Sequence, residues 1–126
     1  MVKKEKVIKK NFGIEKEKVI KQLEKQIVQL IQLGWRSRII KIGYESSKEE
    51  IEKGKKGFLI IAEDIADRTK RHILELFKGD YYILFTKEQI GSFLGKKNVG
   101  IVFVPENKFG IKLKNLIKQY LELVRR

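Results

Sequence analysis

Basic and aromatic side chains alternate in one short segment that is suited to nucleic-acid contact. Arg36, Arg38 and Lys41 follow Trp35 closely, and Tyr44 comes three residues after Lys41. Cationic side chains bind phosphates and aromatic rings stack on unpaired bases, so this mixture favours RNA. Trp35 equally suits a core position beneath a helix, which we prefer, and for Tyr44 both stacking and simple exposure stay open.

A second basic segment is a lysine pair that follows a glycine. It reads Gly95-Lys96-Lys97-Asn98-Val99, between a predicted helix and a predicted strand. The two ammonium groups are suited to phosphate contacts, although a solvated turn has the same composition. A nucleotide-binding phosphate loop has four residues between its glycines and Ser or Thr after the lysine. The segment from Gly91 to Gly95-Lys96-Lys97 has neither feature, so this motif is excluded. The candidate RNA contacts in this loop are Lys96, Lys97, Asn98 and Val99.

The residue types that catalysis or metal binding requires do not form a recognisable site. Glu63, Asp64 and Asp67 are an acidic group after an apolar run, where carboxylates usually cap a helix. His72 is the only histidine and the chain has no cysteine, so no Cys/His metal set or thiol nucleophile exists. We therefore expect no catalytic residue, no metal, no cofactor and no small-molecule substrate, and the protein is predicted not to be an enzyme.

Size and charge point to one domain with an anionic partner. The chain has 126 residues, and 29 Lys and Arg against 16 Asp and Glu give 29 − 16 = +13. Such an excess suits a polyanion, although a lysine-rich proteome of a heat-adapted organism also raises the basic count. The charged amino terminus has no apolar stretch like that of a secretion signal, and no run is long enough to span a membrane. We expect a cytoplasmic protein with no membrane partner.

Helices and strands are predicted to alternate along the chain. Residues 1–14 read as a basic mobile arm, and residues 15–126 as a single RNA-binding domain, whose first helix stops at Gly34. The predicted strands are 39–42, 58–62, 81–85 and 99–104, and the later helices are 46–53, 64–78, 87–94 and 109–124. Apolar strands between helices favour an α/β fold: a three-layer α/β/α sandwich around a mixed sheet of about four strands, with helices on both faces.

Two serines are predicted to cap the second helix. Ser46 and Ser47 each precede a glutamate by three residues, at Glu49 and Glu50, which gives two overlapping capping boxes. The helix amino terminus presents backbone N–H groups and is a natural seat for a phosphate. Capping without any ligand explains the same residues.

Three motifs in one order resemble a known RNA-binding family. They are Ala62-Glu63-Asp64 after an apolar strand, Ile90-Gly91-Ser92-Phe93-Leu94-Gly95, and Lys108-Phe109-Gly110 at the start of the last helix. Together they resemble the kink-turn-binding ribosomal-protein family, of the L-seven-Ae and L-thirty-e type, and most of all its small bacterial members. The resemblance covers residues 28 to 126, and Arg36 and Arg38 match basic positions of the bacterial branch.

This resemblance implies an RNA-contacting turn after the first strand. Family members grip a sharply bent RNA internal loop with a pattern of glycine, any residue, asparagine, glutamate, two variable residues and lysine. Here the glycine is Gly43, while Glu45, Ser46 and Glu49 replace asparagine, glutamate and lysine. Glu45 can accept a hydrogen bond from a base amine and Ser46 can reach a phosphate. The implied contacts in this turn are Gly43, Tyr44, Glu45, Ser46, Ser47 and Lys48, where Lys48 replaces the family's lysine only if it points inward.

The function predicted from the sequence is non-catalytic binding to structured RNA of the ribosome. The alternative is a protein-interaction adaptor of a ribosomal or other RNA–protein particle, without RNA readout and with ribosomal proteins as partners. A third hypothesis, the recognition half of an RNA methyltransferase, requires a separate catalytic subunit.

Overall fold

The computed structural model describes the backbone of residues 2–125 and the side chains of residues 13–125. Within these residues, five helices alternate with four strands. The elements are α1 (Val2–Arg36), β1 (Lys41–Ile42), α2 (Tyr44–Glu52), β2 (Gly57–Ile61), α3 (Asp67–Leu76), β3 (Tyr81–Ile83), α4 (Lys87–Phe93), β4 (Ile101–Pro105) and α5 (Lys108–Val124).

The strands form one mixed sheet in the order β1-β4-β2-β3. β4 runs antiparallel to β1 and to β2, whereas β2 and β3 are parallel and are joined through α3. Leu59 pairs with Phe103 on β4 and with Tyr81 on β3, at the centre of the sheet. The predicted four-stranded mixed sheet is confirmed.

Both faces of the sheet are covered, so β2 and β4 are buried almost throughout. On one face the strand residues Phe58, Ile60, Val102 and Val104 join the core residues of α1, α4 and α5. On the other face Leu59, Ile61, Ile101 and Phe103 pack with α2 and α3. The helix side chains at the centre of these two cores are Ile27, Ile31, Ile90, Leu113 and Ile117 on the first face and Ile73 on the second. The prediction of a three-layer α/β/α sandwich is confirmed.

The connection from α1 to β1 differs from the prediction. Gly34 lies inside α1 rather than at its end. A Cβ at this position would meet Phe109 Cζ at 2.6 Å, so glycine is needed here to let the backbone of α1 approach α5 closely. Arg38 has φ 58°, and the amides of Ile39 and Ile40 both donate to the carbonyl of Gly34. These two isoleucines therefore close the helix end instead of extending β1, which has two residues.

The strand ends also differ at β3 and β4. β3 was predicted to reach Phe85, but it ends at Ile83, and the φ of 63° at Phe85 turns the chain out of the sheet. β4 was predicted to begin at Val99 and begins at Ile101. The residues beyond the strand ends, Leu84, Phe85 and Val99, are buried all the same. Their apolar character reflects the core and not strand pairing.

The predicted mobile arm comprises residues 1–14, and most of its side chains lie outside the described part of the chain. The arm therefore stays a prediction. Of these, Gly13 and Ile14 are exposed positions of α1. Among the described residues, none of the helices combines the length and the apolar character needed to cross a membrane.

Candidate functional site

Loops from four strands meet at one edge of the sheet. Ile42 at the end of β1 pairs with Val102 near the start of β4, and Ile61 at the end of β2 pairs with both Ile101 and Ile83. The carboxyl ends of β1, β2 and β3 therefore lie beside the amino end of β4. We call this the loop edge; it comprises Gly43 with the first residues of α2 (43–48), the β2–α3 loop at 62–66, the β3–α4 turn at 84–86 and the α4–β4 loop at 94–100.

Backbone hydrogen bonds hold the loops of this edge in fixed relation. The amide of Gly43 donates to the carbonyl of Ile101 at 2.8 Å, and the amide of Ala62 donates to the carbonyl of Gly100 at 2.9 Å. Gly100 is the last residue of the α4–β4 loop, and Ile101 follows it directly. The turn before α2 and the α4–β4 loop, which lie more than 40 residues apart in sequence, are thus held side by side.

Asp64 links two further parts of the loop edge. Its Oδ1 accepts from the amide of Lys87 at 2.8 Å, so it caps α4 across the edge. The carbonyl of Lys87 in turn accepts from the amide of Val99 at 3.0 Å. The prediction that Asp64 caps α3 is wrong, because α3 begins at Asp67 with Ala66 as its cap residue. The sequence did not predict that the backbone of Lys87 links these segments, nor that Asp64 caps α4.

The second helix begins earlier than its serines suggested. α2 starts at Tyr44, its cap residue is Gly43 with φ 93° and ψ 164°, and no side chain caps it. The first amide bonded within the helix is that of Ser47, which donates to the carbonyl of Gly43 at 3.2 Å. The serine capping boxes are therefore wrong, because both serines lie inside the first turns of the helix. The backbone N–H groups of Tyr44, Glu45 and Ser46 lack acceptors within the helix.

The predicted contacts of this turn differ in their access to solvent. Glu45 is exposed, whereas Tyr44, Ser46 and Lys48 are half-buried. Ser47 is fully buried, and within the described part of the chain its hydroxyl has no hydrogen-bond partner. Tyr44 packs against the core between the sheet and α2, so part of its ring is unavailable for stacking.

The lysine loop, residues 95–99, is exposed to solvent and packs closely against α4. Lys96, Lys97 and Asn98 are exposed, whereas Val99 is buried and anchors the loop. A Cβ at Gly91 would lie 2.6 Å from the carbonyl oxygen of Lys97, so only glycine allows the loop to lie this close to α4. The amide of Lys96 also donates to the carbonyl of Gly91 at 2.7 Å.

The structure joins the lysine loop to the first basic segment. The Nζ of Lys96 lies 5.7 Å from the centre of the Trp35 ring, a cation–π arrangement. Trp35 is half-buried against the core, as preferred from the sequence, yet it also lines a surface depression with Arg36. Arg38 is exposed in the turn after α1.

Lys41 lies apart from this group, on the face of the sheet that α2 covers. Its position on β1 is opposite Phe103, whose side chain belongs to the core under α2 and α3. Glu50 of α2 is buried and accepts from Lys55 at 2.9 Å. That hydrogen bond lowers the pKa of Glu50 despite its burial, and the positive charges of Lys55, Lys53 and Lys41 lower the pKa further. The positive charge of Lys41 thus lowers the pKa of a buried carboxylate.

Charge is unevenly distributed along the loop edge. Glu45 and Glu49 on α2 and Glu63 in the β2–α3 loop are exposed carboxylates. Between positions 89 and 105 the chain has two lysines and no acidic residue. The α4–β4 end of the edge is therefore the basic end, and the α2 end offers mainly backbone amides and carboxylates.

The described residues offer no clustered ligands for a metal ion. They contain no group of three or more His, Cys, Asp or Glu side chains placed to hold a metal ion. His72 is an exposed residue on α3. What the loop edge offers chemically is ammonium groups, an aromatic ring and helix amides.

Comparison with known proteins establishes the fold of the chain. No family model matches the sequence, and no curated protein does so. A Bacillus halodurans protein of unknown function has a similar structure, with a TM-score of 0.66 and 22% identity over 73% of this chain and 96% of that one. A Giardia lamblia 15.5kD RNA-binding protein superposes with a TM-score of 0.62 and 18% identity, over 81% of this chain and 90% of that one.

Proposed function

We propose that this protein is a non-catalytic RNA-binding protein that docks its loop edge on structured RNA. The observation that carries the proposal is the pair of backbone hydrogen bonds from Gly43 to Ile101 and from Ala62 to Gly100. These bonds place the turn before α2 and the lysine loop on one edge. RNA contacts are predicted from the sequence in both segments, from the family resemblance in the turn and from the lysine pair in the loop. The Giardia protein of the same fold is an RNA-binding protein.

The two ends of the edge contribute differently to binding. Lys96 and Lys97 supply mobile positive charge for phosphates. The amides at the start of α2 supply fixed donors, and Glu45 offers an acceptor for the exocyclic amine of a base. We propose a sharply bent, kink-turn type of internal loop in ribosomal RNA as the target, bound in the cytoplasm as part of translation.

The charge of the lysine loop is tested by salt dependence. The double variant Lys96→Ala/Lys97→Ala should bind RNA more weakly, and the slope of log K against log salt should fall by about 1.5 if both side chains contact phosphates. Lys56→Ala/Lys108→Ala is the matched control, because these exposed lysines lie at the ends of β2 and α5 opposite the loop edge. An equal loss in both double variants would show that only total charge matters and would remove the loop from the interface.

The bend is tested with two RNAs. A gel-shift titration compares a kink-turn RNA with the same RNA whose sheared G·A pairs are replaced by Watson–Crick pairs. Tighter binding to the kink-turn supports the bent target. Equal binding to both contradicts the kink-turn proposal and leaves binding to other structured RNA in place.

A second candidate function is a protein-interaction adaptor within a ribosomal or other RNA–protein particle. It is favoured by a groove between α1 and α5 whose apolar walls are Leu30, Leu33 and Leu116, with Leu33 44% exposed. An adaptor of this kind should stay associated with a purified ribosomal protein after nuclease treatment, and Leu33→Ser should abolish that association. Loss of association on nuclease treatment alone would favour direct RNA binding.

A further inference from the structure

We propose that the depression between α1 and α4 binds one unpaired nucleotide of the RNA, with its base stacked on Trp35 and its phosphate held by Arg36 and Lys96. This subsite extends the proposed RNA interface and rests on that proposed function. It names a feature of the target that the loop edge alone does not require: a single-stranded nucleotide next to the structured element.

The depression has a suitable size and rigid walls. Its volume is about 320 Å³, and it is lined by Gln32, Trp35, Arg36, Phe93 and Leu94. The Nε2 of Gln32 donates to the carbonyl of Phe93 at 3.2 Å, which ties α1 to α4 across the floor. The Phe93 ring also packs edge-on against Phe85, with 5.1 Å between ring centres. These contacts tie α1 to α4 and hold Phe93 in the depression, and Trp35 packs against the core beside it.

Charge and aromatic character in this depression suit a nucleotide. None of its five lining side chains is acidic, and Arg36 is exposed at the rim. The ammonium of Lys96 already lies over the Trp35 ring at 5.7 Å. A base that stacks on the Trp35 ring would displace the Lys96 ammonium from the ring. The ammonium would then be free to pair with the adjacent phosphate. Stacking on an aromatic ring together with phosphate contacts is the usual mode of binding for single-stranded RNA.

Continuity with the loop edge favours RNA over a peptide as the occupant. Lys96 belongs to the lysine loop, and its ammonium lies over the ring of Trp35, which lines the depression, so a strand held by the loop has the ring directly beside it. Trp35 and Lys96 come from segments that lie 61 residues apart in the chain, and the two proposed contacts meet only in the folded protein.

Fluorescence of Trp35 is a direct probe, because it is the only tryptophan in the chain. We would titrate the full-length protein with four kinds of ligand. The first is a blunt kink-turn RNA, and the second is the same RNA with three unpaired adenosines added at one end or at the other. The third has abasic sugars in place of these adenosines, and the fourth is a free four-adenosine oligonucleotide. The adenosine extension at one end should quench Trp35 and tighten binding by roughly 5- to 150-fold relative to the blunt RNA. The abasic extension should do neither.

Variants separate stacking from charge. Trp35→Leu keeps an apolar group against the core and should remove the advantage of the adenosine extension, while Trp35→Phe should retain part of it. Arg36→Gln should weaken binding of the extended RNA more than of the blunt RNA. Arg68→Gln, an exposed arginine of α3 on the opposite side of the sheet, is the matched control and should weaken both RNAs equally.

The outcomes distinguish this inference from the proposed function. If the blunt RNA binds but the adenosine and abasic extensions behave alike, RNA binding stands and the stacking subsite is wrong. If the blunt RNA does not bind but free oligoadenosine quenches Trp35, the subsite stands and the structured-RNA proposal is wrong. Unchanged Trp35 fluorescence with all four ligands overturns the subsite.

Discussion

Replacing Ser47 with alanine should stabilise the protein and leave RNA binding unchanged. Ser47 lies in α2 with a fully buried side chain, and within the described residues its hydroxyl has no hydrogen-bond partner. A polar group that loses water on folding and gains no partner lowers the stability of the native state.

The size of the effect follows from two favourable contributions and one unfavourable one. Removing a buried hydroxyl without a partner relieves about 1–3 kcal/mol. Alanine is also a better helix former than serine, by up to about 0.5 kcal/mol. The lost oxygen leaves a small gap, which offsets part of this gain through lost packing contacts. We expect Ser47→Ala to raise the free energy of unfolding by about 1 kcal/mol, or the melting temperature by a few degrees.

Urea denaturation followed by circular dichroism measures this change, and gel shifts measure RNA affinity. Ser46→Ala is the matched control: the same substitution one residue earlier in α2, at a half-buried position, should give no more than the helix-propensity gain. A lower stability for Ser47→Ala would show that the hydroxyl makes a hydrogen bond in solution and would refute the reasoning. A loss of RNA affinity without a loss of stability would show that Ser47 reaches the RNA.

Three further predictions concern the lysine loop, a glycine of α1 and the buried carboxylate. Gly91→Ala should weaken RNA binding and lower stability by about 1 kcal/mol, since overpacking against the carbonyl of Lys97 at 2.6 Å outweighs the helix-propensity gain. Gly13→Ala, with open space around the added methyl, should stabilise by up to about 1 kcal/mol. Glu50 has a lowered pKa owing to its bond with Lys55, so its stabilising effect is present above the pKa of an unfolded glutamate, about 4.3, and is lost as pH falls through the lower folded value. Glu50→Gln should cost about 1 kcal/mol at pH 7 and flatten that acid dependence in denaturation curves.

Most of the architecture was predictable because burial sets the pattern of the strands. β2 and β4 are covered on both faces, so their sequences are continuous apolar runs that stand out between polar helices. The start of α4 was equally clear. Thr86 and Gln89 stand three residues apart, as a capping box requires; the Thr86 hydroxyl accepts from the amide of Gln89 at 3.1 Å, and Gln89 Oε1 accepts from the amide of Thr86 at 2.9 Å.

The start of α2 was not predictable from the same kind of pattern. Ser46 and Ser47 have glutamates three residues later, as Thr86 has Gln89, but their helix begins at Tyr44. The difference comes from Gly43, whose amide is bonded to Ile101 and whose φ of 93° turns the chain directly into the helix. A bond to a strand almost sixty residues away in the sequence decided a boundary that local residues appeared to specify.

The pairing of the candidate contacts also depended on the strand order. The sequence identified Arg36 and the lysine loop as separate basic segments, but nothing local indicated that Lys96 would lie on Trp35. That contact requires the antiparallel β4 to return between β1 and β2, which places α4 against the end of α1. Lys41, predicted with the same group, lies instead on the face of the sheet that α2 covers, because side chains alternate along a strand, and its charge lowers the pKa of Glu50.

The hydrogen bond from Gly43 to Ile101 also couples the two ends of the loop edge. Ile101 comes two residues after the end of the lysine loop, and the loop is held on its other side by Gly91 of α4. In the proposed function, an RNA contact with the α2 amides would act on the same backbone that positions the lysines. Since the turn departs from the family pattern at Glu45, Ser46 and Glu49 while the lysine loop is purely basic, we expect the loop to supply the affinity and the turn to select RNA shape.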